Sequence, residues 1–132
     1  MGFRFEFDTV NKILLVRFEG RLTDESLAEA TQVARNHWAA TDARAGITDC
    51  SSVTEFAVSP ELVRDLPLQQ PPMPDVTKNP LFLVMPTTAG YGLARMYQIV
   101  GDRTVPLTSV VHTMDEALAA LGVQTPHFEP IE

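Results

Sequence analysis

Apolar and charged side chains alternate at the start of the chain, where Phe3, Phe5 and Phe7 interleave with Arg4, Glu6 and Asp8. A period of two puts the rings on one face and the charges on the other, which predicts a half-buried strand. A turn through Thr9-Val10-Asn11 follows. Ile13 to Phe18 then predicts a second strand, apolar on both faces in its first half and ended by Gly20. Strands this close in sequence pair as an antiparallel hairpin. From Thr23 the period lengthens. Leu27, Ala30, Ala34 and Trp38 share one helical stripe, Thr23 is a suitable N-cap, and Asp24 and Glu25 face the positive end of the helix dipole. These features predict a helix to about Ala40.

Ala43 to Asp49 predicts a weak strand, carried by Ile47 and by its place between two helices. Ser59-Pro60-Glu61 opens a helix with Leu62, Val63 and Leu66 on its buried side, stopped by Pro67. Residues 67–80 hold five prolines and predict a long loop, a feature that is often functional. Leu81 to Met85 predicts a buried strand, Gly90 to Val100 a helix closed by Gly101, and Leu107 to Val111 the last strand. Thr113-Met114-Asp115-Glu116 is a capping box that opens a final helix through Leu121, ended by Gly122. The order is ββαβαβαβα. It predicts an α/β fold with a mixed, mostly parallel five-stranded sheet, an N-terminal antiparallel hairpin with the first strand at the edge, and four flanking helices. Residues 1–123 form a single domain in this reading, and 124–132 a loosely docked tail.

Composition narrows the function classes. The chain has 132 residues, 45% hydrophobic and 20% charged, enough for one core without disulfides or metal. Its formal net charge of −7 argues against a nucleic acid or an anionic membrane surface as main partner. The N-terminus lacks the apolar stretch of a signal peptide. Leu81 to Met85, the longest apolar run, is too short for membrane insertion, and the one cysteine suits a reducing compartment. The expectation is a cytoplasmic protein.

Candidate chemistry gathers at the carboxyl ends of the parallel strands, where open α/β sheets bind ligands. Asp49, Ser51, Thr88 and His112 form a possible polar site there, suited to a small anion or a partner's carboxylate; capping alone also explains residues of this kind. Cys50 and His112 invite a nucleophile–base reading, without a local signature or an oxyanion-hole motif. Three scattered histidines and one cysteine give no metal-ligand spacing, and Gly90 and Gly92 fit neither a P-loop nor a dinucleotide fingerprint, so no cofactor is expected. The helix Gly90 to Val100 is apolar around most of its circumference. That predicts full internal burial or contact with a ligand or partner through Tyr91, Met96, Tyr97 and Val100, with Met73 of the proline-rich loop as part of the cover.

The element order resembles that of SpoIIAA-like proteins of the STAS-domain superfamily. The likeness is carried by Ile13 to Thr23, by Asp49-Cys50-Ser51-Ser52-Val53 and by Val110 to Leu118. Regulatory members of that family carry an Asp-x-Ser turn, matched here by Asp49 and Ser51, and an Asp-Ser-Ser-Gly segment whose first serine is phosphorylated. Here that segment reads Ala57-Val58-Ser59-Pro60, so the phosphoacceptor position falls on Val58, and Ser59 is left as the phosphorylation candidate. The chain looks more like the single-domain bacterial branch that lacks the segment. The absent catalytic constellation, the apolar helix Gly90–Val100 and this resemblance together lead to the expectation of a non-catalytic regulatory or scaffold domain acting through protein–protein contact, as a homodimer. The alternatives are a carrier of a small apolar ligand, held between the Gly90–Val100 helix and the proline-rich loop, and a small hydrolase using Cys50 or His112.

Overall fold

The computed structural model describes residues 2–69, 80–100 and 108–131, with side chains at all of these except 66–69 and 100. The hairpin forms as the alternation requires. β1 (Phe3–Asp8) and β2 (Ile13–Thr23) pair antiparallel, Phe3 opposite Phe18 and Asp8 opposite Ile13. Lys12 closes the turn at φ 59°. β2 does not stop at Gly20. The strand shifts register there, with Gly20 at φ 69°, and continues to Thr23. Glycine tolerates this left-handed backbone, so it kinks the strand and does not end it.

α1 (Asp24–Ala40) begins where expected, capped reciprocally by Thr23 and Ser26. β3 (Ala45–Ala57) runs eight residues beyond its expected end at Asp49. It is extended by pairing with the second half of β2, from Glu19 opposite Ser52 to Thr23 opposite Ala57. α2 (Pro60–Gln69) passes through Pro67, whose fixed φ suits a helix although one N–H is lost. β4 (Leu81–Val84), α3 (Thr88–Val100), β5 (Thr108–Val111) and α4 (Met114–Ala120) follow. Gly122 at φ 73° terminates α4. Its N–H bonds to the Ala119 carbonyl at 3.1 Å, and the Val123 N–H bonds to the Leu118 carbonyl at 2.9 Å.

The sheet has six strands among the described residues, in the order β5-β4-β3-β2-β1-β6, and this corrects the expected five. The sixth, β6 (Phe128–Pro130), comes from the segment expected to be a loosely docked tail. It pairs antiparallel with β1, which is therefore not an edge strand. A buried carboxylate anchors it. Asp8, with no exposed surface, accepts the N–H groups of Val10 at 2.9 Å, Asn11 at 2.8 Å and His127 at 2.9 Å, and the Asn11 side-chain amide at 2.7 Å.

Two cores result. On one face Phe5, Phe7, Leu14, Val16, Phe18, Cys50, Leu83 and Met85 meet Ala30 of α1 and Ala94 of α3. On the other, Ile13, Leu15, Ile47, Phe82 and Val84 meet Ala117 of α4. Strands β2 to β5 lie side by side in sequence order, so crossovers of one hand place α1, α2 and α3 on the same face. α4 covers the opposite face as the chain returns from one sheet edge to the other.

The tail's attachment should be acid-sensitive. Burial pushes the Asp8 carboxyl up, but the Asn11 side chain and the backbone N–H groups of Asn11, His127 and Val10 outweigh it and hold it below the usual 3.8. The unfolded chain therefore binds this proton at a higher pH than the folded one, and the contribution is complete above about pH 4 and lost as pH falls through the lower folded value. Amide exchange at Phe128 to Ile131 is expected to accelerate selectively in that acid window. Asp8→Asn is expected to reproduce the loss at neutral pH, at about 1–3 kcal/mol by urea unfolding.

Candidate functional site

The expected polar site does not assemble as a unit. Asp49 and Ser51 come together, but within β3 and not at its end. Asp49 Oδ1 accepts both the Ser51 N–H at 2.9 Å and the Ser51 hydroxyl at 2.6 Å. Its Oδ2 accepts Arg17 Nη1 at 3.0 Å, and Arg17 Nε donates to Glu6 Oε2 at 2.8 Å. Strand alternation puts Glu6, Arg17 and Asp49 on the face that also carries Leu15 and Ile47. Asp49 is thus a buried member of an ion-pair chain. Thr88 is exposed at the start of α3, on the other face. The cap of that helix is Thr87, whose hydroxyl accepts the Gly90 N–H at 3.1 Å. His112 stacks on Tyr91 with ring centroids 4.7 Å apart and planes at 4°.

The same geometry argues against a nucleophile–base pair. β4 lies between β3 and β5, so the backbones of Cys50 and His112 stand two strand spacings apart, roughly 10 Å. Burial, followed by the neighbouring Asp49 charge, pushes the Cys50 thiol up to about 12. Ser59 acts as a cap: its hydroxyl accepts the Leu62 N–H at 3.2 Å, and its own N–H donates to Asp24 Oδ1 at 2.7 Å. Val58, at the position that the resemblance assigns to a phosphoacceptor, is half-buried against the core. Among the described residues, no group of histidine, cysteine and acidic side chains could hold a metal ion.

Most of the apolar circumference of α3 is used internally. The helix packs on β3, β5 and α2, and Tyr91 and Tyr97 join the core. Gly90 lets it approach closely, since a Cβ there would lie 2.6 Å from the Phe56 ring. Met96 is half-buried, and Ile99, 65% exposed, is the large apolar side chain this helix leaves open among the described residues. Met73 and the Val100 side chain lie outside the described residues.

What the sequence reading did not foresee is an apolar cavity of about 240 Å³ on the three-helix face. α1 rests on β1 and β2, and α3 rests on β3 and β5, so a space remains over the central strands. Leu14, Val16, Phe18, Cys50, Leu83 and Met85 form its floor. Its sides come from Leu27, Ala30, Ala34 and Trp38 of α1, Val63 of α2, and Leu93, Ala94 and Tyr97 of α3. At Gly46 the side chains of Leu81 and Trp38 close over the backbone. A Cβ there would lie 3.0 Å from Leu81 and 3.9 Å from Trp38. Thr31, Thr48, Arg35 and Tyr97 are among the lining residues that carry polar groups. A carrier site was expected against the proline-rich loop with its polar end at Ser51, Thr88 and His112; this cavity instead lies between α1, the sheet, α2 and α3. The available signal was Arg35, a charged residue at the flank of the stripe of Leu27, Ala30, Ala34 and Trp38.

No family model matches the chain, and no curated protein matches it. Among solved structures it is similar to the unphosphorylated form of the anti-sigma factor antagonist SpoIIAA. That match has 12% sequence identity and a TM-score of 0.58, and it covers 93% of this chain and 99% of the other. The chain has a SpoIIAA-like fold. No helix among the described residues is long and apolar enough to cross a membrane.

The buried thiol makes a direct prediction. Iodoacetamide at pH 8 is expected to leave Cys50 unmodified in the folded protein over hours and to label it within minutes in 6 M guanidinium, as read by intact mass. Rapid labelling of the folded protein would restore Cys50 as a candidate nucleophile.

Proposed function

We propose that the protein is a non-catalytic binding domain that holds a small apolar molecule between α1, α3 and the sheet. The observation that carries this reading is the 240 Å³ cavity, lined almost wholly by hydrocarbon. Folded interiors are packed to crystal-like density with few voids larger than a water molecule. An apolar cavity of about 150 Å³ already takes up benzene, and sites for drug-sized ligands begin near 300 Å³. A volume between these limits suits a single medium-length chain or a small ring system. The high pKa of the Cys50 thiol and its separation from His112 support the absence of nucleophilic catalysis. The proposed setting is the cytoplasm.

Trp38, the chain's one tryptophan, lines the cavity and reports its occupancy. Titration with decanol is expected to shift the Trp38 emission saturably and to raise the melting temperature. Ala30→Leu, which fills the cavity from α1, is expected to weaken decanol binding at least tenfold without lowering stability. If decanol leaves both signals unchanged and the protein from its own host carries no adduct in native mass spectra, the binding reading fails.

A second reading is regulation by contact with another protein or a second copy of the chain. The fold likeness to an anti-sigma factor antagonist supports it, and Ile99 with Met96 on α3 is the apolar surface it would use. Native mass spectrometry is then expected to show a dimer that Met96→Glu together with Ile99→Glu converts to a folded monomer. A wild-type monomer at every concentration would exclude the homodimer.

A further inference from the structure

The cavity wall carries one group that an ordinary apolar core does not tolerate. Arg35 lies on the inner stripe of α1, between Thr31 and Trp38. Among the described residues, its Nε is the buried side-chain nitrogen or oxygen left without a hydrogen-bond partner. Every ion pair formed among these residues uses Arg4, Lys12, Arg17, Arg21 or Arg64, and none uses Arg35. A buried donor without an acceptor costs roughly 1–3 kcal/mol, and more when the group is charged. Apolar residues of similar length, such as methionine, would line the wall without that cost. The buried, unbonded Nε of Arg35 therefore marks a place for an acceptor that the described residues do not supply.

We propose, on the premise that the cavity is a binding site, that its ligand is an amphiphile with a carboxylate head and one hydrocarbon chain, the head paired with Arg35. Three observations fix this chemistry. The lining is mostly apolar side chains, with Arg35, Thr31, Thr48 and Tyr97 among the few that carry polar groups, so the body of the ligand is apolar. One cation without a partner balances one negative charge, and the planar fork of a guanidinium matches a carboxylate in bidentate geometry, whereas a phosphate dianion requires further donors. The volume of about 240 Å³ suits a single medium-length chain. The protein's net charge of −7 means that no general positive field draws the anion in, and its recognition falls to this single local contact. Trp38, one turn beyond Arg35 on α1, stands 3.9 Å from the position of a Cβ on Gly46, which lies near the start of β3 and pairs with Leu81 at the start of β4. The head therefore sits toward the amino ends of the parallel strands and the hydrocarbon runs toward their carboxyl ends, a polarity opposite to the one expected from the sequence.

The test compares decanoate with decanol, which share a hydrocarbon body, by calorimetry and Trp38 emission at pH 7.5. Wild-type protein is expected to bind decanoate at least tenfold more tightly than decanol. Arg35→Met is expected to abolish this preference while leaving decanol affinity within about twofold, and Arg35→Lys to retain part of it. Without ligand, Arg35→Met is expected to melt no lower than wild type, because it removes an unsatisfied donor from apolar surroundings. Equal affinities for the two ligands in wild type, or an undiminished preference in Arg35→Met, would overturn the carboxylate assignment and leave the binding site standing. Failure of both ligands to bind wild type would overturn the site and the assignment together.

Discussion

Parallel pairing of β2, β3, β4 and β5 in sequence order is the constraint on which the other features depend. Each crossover of one hand adds its helix to the same face, so three helices must share the surface over four strands. α1 settles on β1 and β2, α3 on β3 and β5, and α2 leans on α3. The floor between α1 and α3 is left to side chains from β2, β3 and β4. The cavity follows from this division of the sheet, and not from a loop that folds over to make one.

The opposite face obeys different chemistry. α4 is short and covers one part of the sheet, where Ile13, Leu15, Ile47, Phe82 and Val84 are buried. Beside it the exposed part of the same face carries charge. Arg17 lies between Glu6 and Asp49, and Arg4 joins Glu6 and Glu19 at 3.4 Å and 3.0 Å. Asp8 at the end of the same row holds the turn and the C-terminal strand together. One face thus stores its polar side chains in satisfied pairs, while the other presents a mostly apolar wall on which, among the described residues, Arg35 keeps an unbonded Nε. That contrast is what makes Arg35 informative: the chain pairs its partly buried charges elsewhere.

Much of this was legible in the residues, and the failures have physical causes. The alternation of Phe3, Phe5 and Phe7, the stripe of Leu27, Ala30, Ala34 and Trp38, and the caps at Thr23, Ser59 and Thr113 are local signals, and each reappears in the structure. β3 was cut short because Asp49-Cys50-Ser51-Ser52 reads locally as a turn; pairing with β2 extends it, and the Asp49 carboxylate bonds to Ser51 inside the strand. β6 was missed because three residues, one a proline, carry no periodicity, and only the partner β1 makes them a strand. Thr88 and His112 were grouped with Asp49 by topology alone, but side chains alternate across a strand, and a one-residue difference moves a group to the other face.

The sequence by itself determined the order of elements, their polarity and the fold class, since periodicity and capping act over a few residues and need no partner. Whether the inner stripe of α1 meets a filled core or an open one was decided only by the tertiary structure, because a cavity is a mismatch between the volumes of distant elements: here two helices on separate strand pairs with a space between them. Whether a charge is satisfied is likewise a property of the whole fold. Arg17 and Arg35 are the same residue type, yet one lies between two carboxylates and the other keeps a buried Nε without a hydrogen-bond partner among the described residues.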